Sequence, residues 1–259
     1  MATGIRAGAG IASMILIAGS IVLLFFVVLS GVKNTTPLNK TWFLQADSGF
    51  GATGRSVSQW TYFYICGADN QNCGKPVPDL PVGYAWQADS TGVPSQLLGK
   101  HGKGTTSTYY FYMWRFGWVF YLMALFFDVL AFFTSLLAPV SRLAAGFSGF
   151  VLCIALFWMS LAASLMTVTF VKMRDQLNRA GITSHIGQYA FGFTWGAWAA
   201  MFLSVILLFL GCGLGGSRRE SAAPTTNRTF FRRQRSRRSA RGSFVDNDSS
   251  RRVVKEEYS

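Results

Sequence analysis

Residues 121–171 read YLMALFFDVLAFFTSLLAPVSRLAAGFSGFVLCIALFWMSLAASLMTVTFV, two long apolar blocks separated by a short turn sequence. The first block begins near Trp114 and ends near Ala138, and the second runs without a charge from Leu143 to Val171. A helix needs about 20 apolar residues to cross the hydrocarbon core of a bilayer. Because only Pro139-Val140-Ser141-Arg142 joins the two blocks, we expect an antiparallel hairpin of membrane helices.

Two further apolar blocks, at 10–32 and 189–213, contain no charged residue. The first could be read as a secretory signal, with Arg6 before it. Its apolar run is longer than a signal h-region, and no clean small-residue cleavage site follows before Lys33. We therefore predict a retained helix, and four membrane spans in all.

The composition agrees with a membrane protein and excludes an ordinary soluble globule. Hydrophobic residues make up 51% of the chain and charged residues only 14%, whereas soluble domains carry about 25% charge. The predicted fold class is an all-α membrane protein, a four-transmembrane-helix bundle. Only two histidines are present, and no nucleophile motif, phosphate loop or metal-spaced cluster appears. We therefore predict no enzyme activity and no cofactor.

The orientation follows from the basic residues, which favour the cytosolic side. After Gly216 there are twelve Lys and Arg against five Asp and Glu. Arg6 and Arg142 agree with a cytosolic tail, while Lys172, Arg174 and Arg179 between the last two spans oppose it but are outnumbered. Both termini are therefore predicted in the cytosol. The predicted segments are an N-terminus at 1–9, spans at 10–32, 114–138, 143–171 and 189–213, extracellular loops at 33–113 and 172–188, a cytosolic turn at 139–142, and a cytosolic tail at 214–259.

The tail is rich in Ser, Thr and Arg and poor in apolar residues, which is typical of a disordered segment. Basic residues beside a span attract anionic lipid headgroups, so we expect inner-leaflet lipids as partners, and a cortical scaffold protein is a second candidate. A solvated tail that only sets the orientation is the alternative. Nucleic acid is excluded because the tail cannot build a nucleic-acid-binding fold. The basic residues singled out are Arg218, Arg219, Arg232, Arg233, Arg235, Arg237 and Arg238.

The large loop contains two cysteines, Cys66 and Cys73, in a turn-rich sequence. Outside the cell, two thiols this close in one loop most simply form a disulfide. Free thiols, or a metal site with His101, are the alternatives, but a metal site needs more ligands than this loop shows. The preceding segment WTYFYICG, residues 60–67, is aromatic and β-branched and predicts a strand.

Two sites in the same loop match the N-glycosylation acceptor pattern, Asn34-Thr35-Thr36 and Asn39-Lys40-Thr41. Both lie within about ten residues of the membrane, so glycosylation at Asn39 is only weakly indicated. Asn227 and Asn247 match the same pattern but are predicted to be cytosolic.

Asp128 lies near the middle of the second span. An ionisable group at that depth indicates a functional site by default, such as a proton relay or an ion path. The other spans contain no charge to continue such a path. The alternative is a structural acid that is protonated, or hydrogen-bonded to a hydroxyl across the hairpin; the candidate partners are Ser160, Ser164 and Thr167.

Two glycines and two cysteines in the membrane blocks are considered for a role. Gly192 and Gly196 form a G-x-x-x-G pattern that lets another backbone approach closely, either inside the bundle or between protomers of a homo-oligomer. Cys212 lies at the cytosolic end of the fourth span, where a thiol is a candidate for palmitoylation or simply packs. Cys153, inside the third span, is predicted to be inert.

The whole arrangement resembles the claudin-like tetraspan proteins, and more closely the fungal SUR/PalI family. The residues that carry the resemblance are WTYFYICG…NCG at 60–74, YLMALFFDVLAFFTSLLAPVSRL at 121–143 and the small-residue third span, within residues 5–215. The sequence lacks the Gly-Leu-Trp that precedes the first cysteine of claudins, which argues against a paracellular-barrier role.

The resemblance implies a left-handed four-helix bundle capped by a small extracellular β-sheet. It implies residence in furrow-like eisosome compartments of the plasma membrane, and a role in membrane organisation, cell-wall integrity and endocytosis. Two other functions stay open: a transporter or channel subunit that uses Asp128, and a membrane sensor of a PalI-like pH-signalling pathway that acts through the tail.

Overall fold

The computed structural model describes residues 2–47, 56–138 and 141–213. Within them lie four long helices, which are α1 Ala2–Val28, α3 Thr108–Ser135, α4 Arg142–Arg179 and α5 Gln188–Gly213, and a single-turn helix α2 His101–Gly104. All four long helices are long and apolar enough to cross a membrane. Together with a small antiparallel sheet between α1 and α5, they confirm the predicted tetraspan bundle with a sheet domain.

The helices extend beyond the spans that apolar composition marks. α4 has 38 residues and ends at Arg179, whereas the predicted span ends at Val171. At about 1.5 Å per residue such a helix is far longer than the hydrocarbon core. Its last two turns carry Lys172, Arg174 and Asp175 and reach the sheet. Residues 172–179 are mostly polar, so a search for runs of apolar residues does not include them in the span.

The four helices pack through small residues and through hydrogen bonds. α3 packs most extensively on α4, and α1 on α5. Fully buried alanines let the backbones approach closely; they are Ala124, Ala131, Ala155, Ala162, Ala163, Ala190 and Ala197. Hydrogen bonds also join the helix pairs: Ser204 Oγ to Ser13 O (3.3 Å), Ser148 Oγ to Ala131 O (3.2 Å), Trp198 Nε1 to Ser160 Oγ (2.8 Å) and Trp195 Nε1 to Thr167 Oγ1 (3.3 Å).

The outward faces of the bundle carry large apolar side chains. Phe126, Phe133, Phe150 and Phe157 are each more than half exposed. In water such a surface would be a liability, but acyl chains are as apolar as these side chains. The exposed phenylalanines therefore mark the surface that contacts the bilayer.

The sheet has four strands in the order β3-β2-β1-β4, all antiparallel. β1 spans Leu44–Ala46, β2 Ser58–Trp60, β3 Ile65–Cys66 and β4 Ser184–Ile186. β1 pairs Leu44 with Trp60 of β2 and with Ile186 of β4. Since β4 comes from the loop between α4 and α5, the two loops form one domain. Residues 172–188 were predicted only as a loop.

The prediction of one strand over WTYFYICG is wrong. β2 ends at Trp60 and β3 begins at Ile65, and residues 61–64 form the turn of a hairpin. Thr61 N donates to Tyr64 O (2.9 Å), and Tyr64 N donates to Thr61 Oγ1 (3.2 Å). The chain turns here because Tyr62 leaves the sheet and buries its ring among the helices. Propensity for a strand does not reveal that tertiary contact.

Candidate functional site

The tip of the β2–β3 hairpin is inserted into the end of the helix bundle. Tyr62 is fully buried, and its hydroxyl donates to Trp118 O of α3 (2.6 Å). In return Trp118 Nε1 donates to Tyr62 O (3.3 Å), and Tyr62 N donates to Ser30 Oγ at the end of α1 (3.3 Å). Burial raises the pKa of the Tyr62 phenol well above its ordinary value of 10.0, so the hydroxyl stays a donor.

Aromatic rings continue from this tip across the interface between the sheet and the helices. Tyr62 stacks on Trp118 with ring centroids 5.4 Å apart, and Phe43 stacks on Phe170 at 5.1 Å. Trp114 contacts both groups, 6.3 Å from Tyr62 and 5.8 Å from Phe43. Such pairs add about 0.5–1.5 kcal/mol each beyond the area that they bury. These five residues and Tyr121, whose ring centroid lies 5.5 Å from that of Tyr62, are called the aromatic junction: Phe43, Tyr62, Trp114, Trp118, Tyr121 and Phe170.

An ion pair joins the proline-rich segment after Cys73 to the same end of the bundle. Arg115 of α3 pairs with Asp79 and lies over the Phe111 ring, 4.6 Å from its centroid. Burial raises the pKa of the Asp79 carboxyl, and the bond from Arg115 opposes this shift. The loop between α1 and α3 is therefore attached to α3 by this pair as well as by the hairpin tip.

The disulfide between Cys66 and Cys73 is present, which confirms that prediction. Cys66 is fully buried at the end of β3, and the bridge closes a short loop around Asn70. Asn70 is buried in a left-handed conformation with φ 53°, and its Nδ2 donates to Leu38 O (2.6 Å) and Thr41 O (3.0 Å). The bridge and Asn70 together fix the edge of the sheet to the chain that leaves α1.

We predict that replacing both bridged cysteines by serine destabilises the sheet domain. A disulfide closing a short loop contributes about 2–3 kcal/mol through restriction of the unfolded chain. Chemical unfolding of the purified protein in detergent, followed by tryptophan fluorescence, measures the change. Cys153→Ser is the matched control, because Cys153 is not bridged. Equal stability of the double variant and the wild type would contradict the prediction.

Asp128 is fully buried between α3 and α1. Its Oδ2 lies 2.6 Å from Ser20 Oγ, and Ser20 Oγ also lies 2.7 Å from Ile17 O. The partner is therefore on α1 and not across the hairpin. Two of the hydroxyls proposed from sequence bond to their own helix, since Ser160 donates to Leu156 O and Thr167 to Ala163 O, and the third, Ser164, is exposed.

A count of protons favours a neutral Asp128. The Ser20 hydroxyl has one proton and two oxygen neighbours at hydrogen-bond distance. Both contacts become hydrogen bonds only if the carboxyl of Asp128 carries the second proton. Its Oδ1 has no hydrogen-bond partner among the described residues, and a charge there would be costly in the membrane. The geometry thus favours a structural acid over a charged relay.

We predict that Asp128→Asn folds and assembles like the wild type, with a loss under about 1 kcal/mol, because an amide can keep the bond to Ser20. Asp128→Leu should lose more, since Ser20 then loses its partner on α3. Both variants are compared by thermal stability in detergent and by amount in the membrane. A fully folded Asp128→Asn protein that loses a solute flux present in wild type would support the transporter alternative instead.

The remaining candidates from the sequence lie apart from the aromatic junction. Gly192 is exposed and a Cβ there would meet nothing within 4 Å, while one at Gly196 would lie 3.4 Å from Leu23. Asn39 is half-buried in the 3-10 turn Leu38–Lys40, whereas Asn34 is exposed.

Cys212 lies in the last turn of α5, but its side chain lies outside the described part of the structure. The tail arginines named above, 218 to 238, lie outside the described residues.

No cluster of three or more His, Cys, Asp or Glu that could hold a metal occurs within 2–47, 56–138 and 141–213. His101 stacks on Phe111, with centroids 4.6 Å apart, and is not near the disulfide partners in any described contact. Tyr62 and Ser20 were not among the residues predicted to matter. The available signal for Ser20 was that it is one of only two serines in α1, the other being Ser13.

Four apolar helices, with a disulfide-bonded sheet joined to one end of the bundle, define a tetraspan membrane protein. The chain belongs to the SUR7/PalI family, whose family model matches residues 9–207. That match includes most of the described bundle and sheet and excludes the basic tail.

Curated relatives agree with this assignment. The chain is 32% identical to Protein SUR7 of Candida albicans over 204 residues, 77% of this chain and 72% of the relative. It is 30% identical to SUR7 family protein FMP45 of Saccharomyces cerevisiae, over 73% of this chain and 61% of that protein. It is 27% identical to the plasma membrane protein YNL194C of the same yeast, over 75% of this chain and 64% of the relative.

Proposed function

We propose that this protein is a structural, organising component of the fungal plasma membrane, placed in furrow-like eisosome compartments. It contributes there to membrane organisation, cell-wall integrity and endocytosis. Family membership supports the organising role, and a relative is named as a plasma membrane protein. The observation that carries the proposal is the aromatic junction, in which reciprocal hydrogen bonds between Tyr62 and Trp118 join the sheet domain to the helices.

The proposed orientation places the sheet domain outside the cell and both termini in the cytosol. The disulfide supports it, because such bonds persist in oxidising compartments. Five of the seven lysines lie in the loop between α1 and α3, and Lys172 lies in the sheet-side extension of α4. These lysines oppose the proposed orientation, which therefore depends on the twelve Lys and Arg of the tail.

The tail is proposed to bind anionic inner-leaflet lipids, at about 1 kcal/mol per basic residue near the surface, or a cortical scaffold. Palmitoylation of Cys212 would add a second membrane contact. The exposed Gly192 would admit a second protomer in a homo-oligomer. The sheet domain outside the cell and the lipid-binding tail inside it would together hold the protein in a static patch.

The experiment is a fluorescent fusion of the full chain in a fungal cell. We expect cortical patches that do not recover after photobleaching. A variant lacking residues 217–259 separates two roles: an organiser that depends on the tail loses its static patches, whereas a sensor acting through the tail keeps its placement and loses signalling. Uniform, rapidly exchanging fluorescence of the complete chain would overturn the proposal.

A further inference from the structure

An open cavity of about 730 Å³ lies beside the sheet, between the start of α5 and the 3-10 turn that precedes β1. Its size falls within the roughly 300–1,000 Å³ of small-molecule sites. It lies away from the aromatic junction, and residues of both loops line it. The lining groups that matter here are Trp42, Gln45, Gln59, His185 and Tyr189.

The polar wall of the cavity is an ordered row of amides. Gln59 Nε2 donates to Gln45 Oε1 (2.8 Å), and Gln45 Nε2 donates to Asp47 Oδ1 (3.2 Å). Gln59 Oε1 accepts from Asn70 N (2.9 Å), and Gln59 is buried. Each amide nitrogen carries two protons, and these bonds use one of each. These bonds fix the orientation of both amides, and among the described residues each amide nitrogen keeps one proton for a ligand.

Aromatic and hydroxyl-binding groups complete the lining. Trp42 is half-buried, and Tyr189 is 44% exposed at the first turn of α5. Ring faces carry negative charge density that attracts polarised C–H groups. His185 and Gln188 are exposed at the same cavity and can donate or accept. A ligand therefore meets flat apolar faces as well as neutral hydrogen-bonding groups.

The charges at the cavity do not favour an anion. Arg174 is engaged by Asp175, with Nη2 2.7 Å and Nε 3.0 Å from the same carboxylate oxygen. Asp69 also lines the cavity, with Lys40. Phosphate sites instead present unpaired guanidinium or ammonium groups that converge on one point. The chemistry fits a neutral molecule with many hydroxyls and an apolar face.

We propose that this cavity binds a neutral glycan, with a pyranose ring against Tyr189 or Trp42 and its hydroxyls on the Gln45–Gln59 amides. The inference rests on the proposed function only in its orientation, which exposes the cavity to extracellular polysaccharide. Binding by one such cavity per protomer would tie the sheet domain to the wall.

The test uses the full chain purified into lipid nanodiscs. The probes are a linear β-1,3-glucan hexasaccharide, a β-1,4-N-acetylglucosamine hexasaccharide and, as the anionic comparator, inositol hexakisphosphate. Saturation-transfer NMR and calorimetric titration measure binding. We expect one of the two neutral hexasaccharides to bind, and Tyr189→Ala and Gln45→Ala each to weaken it about tenfold or more.

Tyr109→Ala is the matched control, since Tyr109 is 42% exposed at the first turn of α3 and lies outside the cavity lining. Its affinity should equal that of the wild type. Absence of binding by both hexasaccharides, unchanged affinity in both cavity variants, or a preference for the inositol phosphate would overturn the inference. These binding assays use purified protein, so their result is independent of the patch experiment in cells. Static patches without glycan binding would contradict this inference and leave the proposed function standing.

Discussion

Gly187→Ala is expected to prevent the sheet domain from forming. A Cβ at Gly187 would lie 1.6 Å from Trp42 O and 2.6 Å from Trp42 C, both backbone atoms. Gly187 N also donates to Phe43 O (3.0 Å), so the two chains cannot separate without loss of the β1–β4 pairing. Clashes of this kind belong to the few mechanisms that cost more than about 4 kcal/mol. The measurement is the yield of monodisperse protein in detergent and its melting temperature.

Gly192→Ala is the control for that variant, five residues further along the same chain. A methyl group at Gly192 meets nothing within 4 Å, and alanine favours helix over glycine by about 1 kcal/mol. Its stability should therefore equal or exceed that of the wild type. Normal folding of Gly187→Ala, or equal damage by both substitutions, would show that β4 does not approach β1 as described.

Tyr62→Ala is expected to separate the sheet domain from the helices. The substitution removes a fully buried ring, which costs about 3–5 kcal/mol for large aromatic residues, and also removes the bond to Trp118 O. Tyr62→Phe keeps the ring and removes only the hydroxyl, for about 1 kcal/mol. Unfolding free energies in detergent should follow the order wild type, Phe variant, Ala variant.

The exposed tyrosine Tyr112, 44% exposed on α3, supplies a matched control because Tyr112→Ala deletes the same atoms at the surface. It should remain close to the wild type. In cells, Tyr62→Ala should fail to form static patches even where protein reaches the membrane. If it forms them normally, the rigid connection between domains is not what organises the compartment.

The four helices were predictable because the bilayer acts as a solvent with one strong demand, that backbone groups bond internally. A helix meets that demand, and an uninterrupted apolar run such as 10–32 identifies one in the sequence. The disulfide was predictable for a comparable reason, since Cys66 and Cys73 are close in sequence and their pairing needs no knowledge of distant contacts.

The junction was not predictable, because it depends on contacts between residues far apart in the chain. Tyr62 meets Trp118 across 56 positions, and Ser20 meets Asp128 across 108. Nothing in the local sequence of either residue specifies its partner. β4 has only three residues, Ser184–Ile186, so it forms a strand only where the edge of β1 accepts it. Its sequence alone gives little periodicity to detect.

The lysines of the chain test most directly how it is threaded through the membrane. Six of the seven, Lys33, Lys40, Lys75, Lys100, Lys103 and Lys172, belong to the sheet side and are exposed, whereas Lys255 is in the tail. Intact cells are treated with a membrane-impermeant amine reagent, and the modified peptides are identified by mass spectrometry. We predict modification of the six sheet-side lysines, with Lys255 modified only after permeabilisation. Modification of Lys255 in intact cells, with the loop lysines protected, would contradict the account.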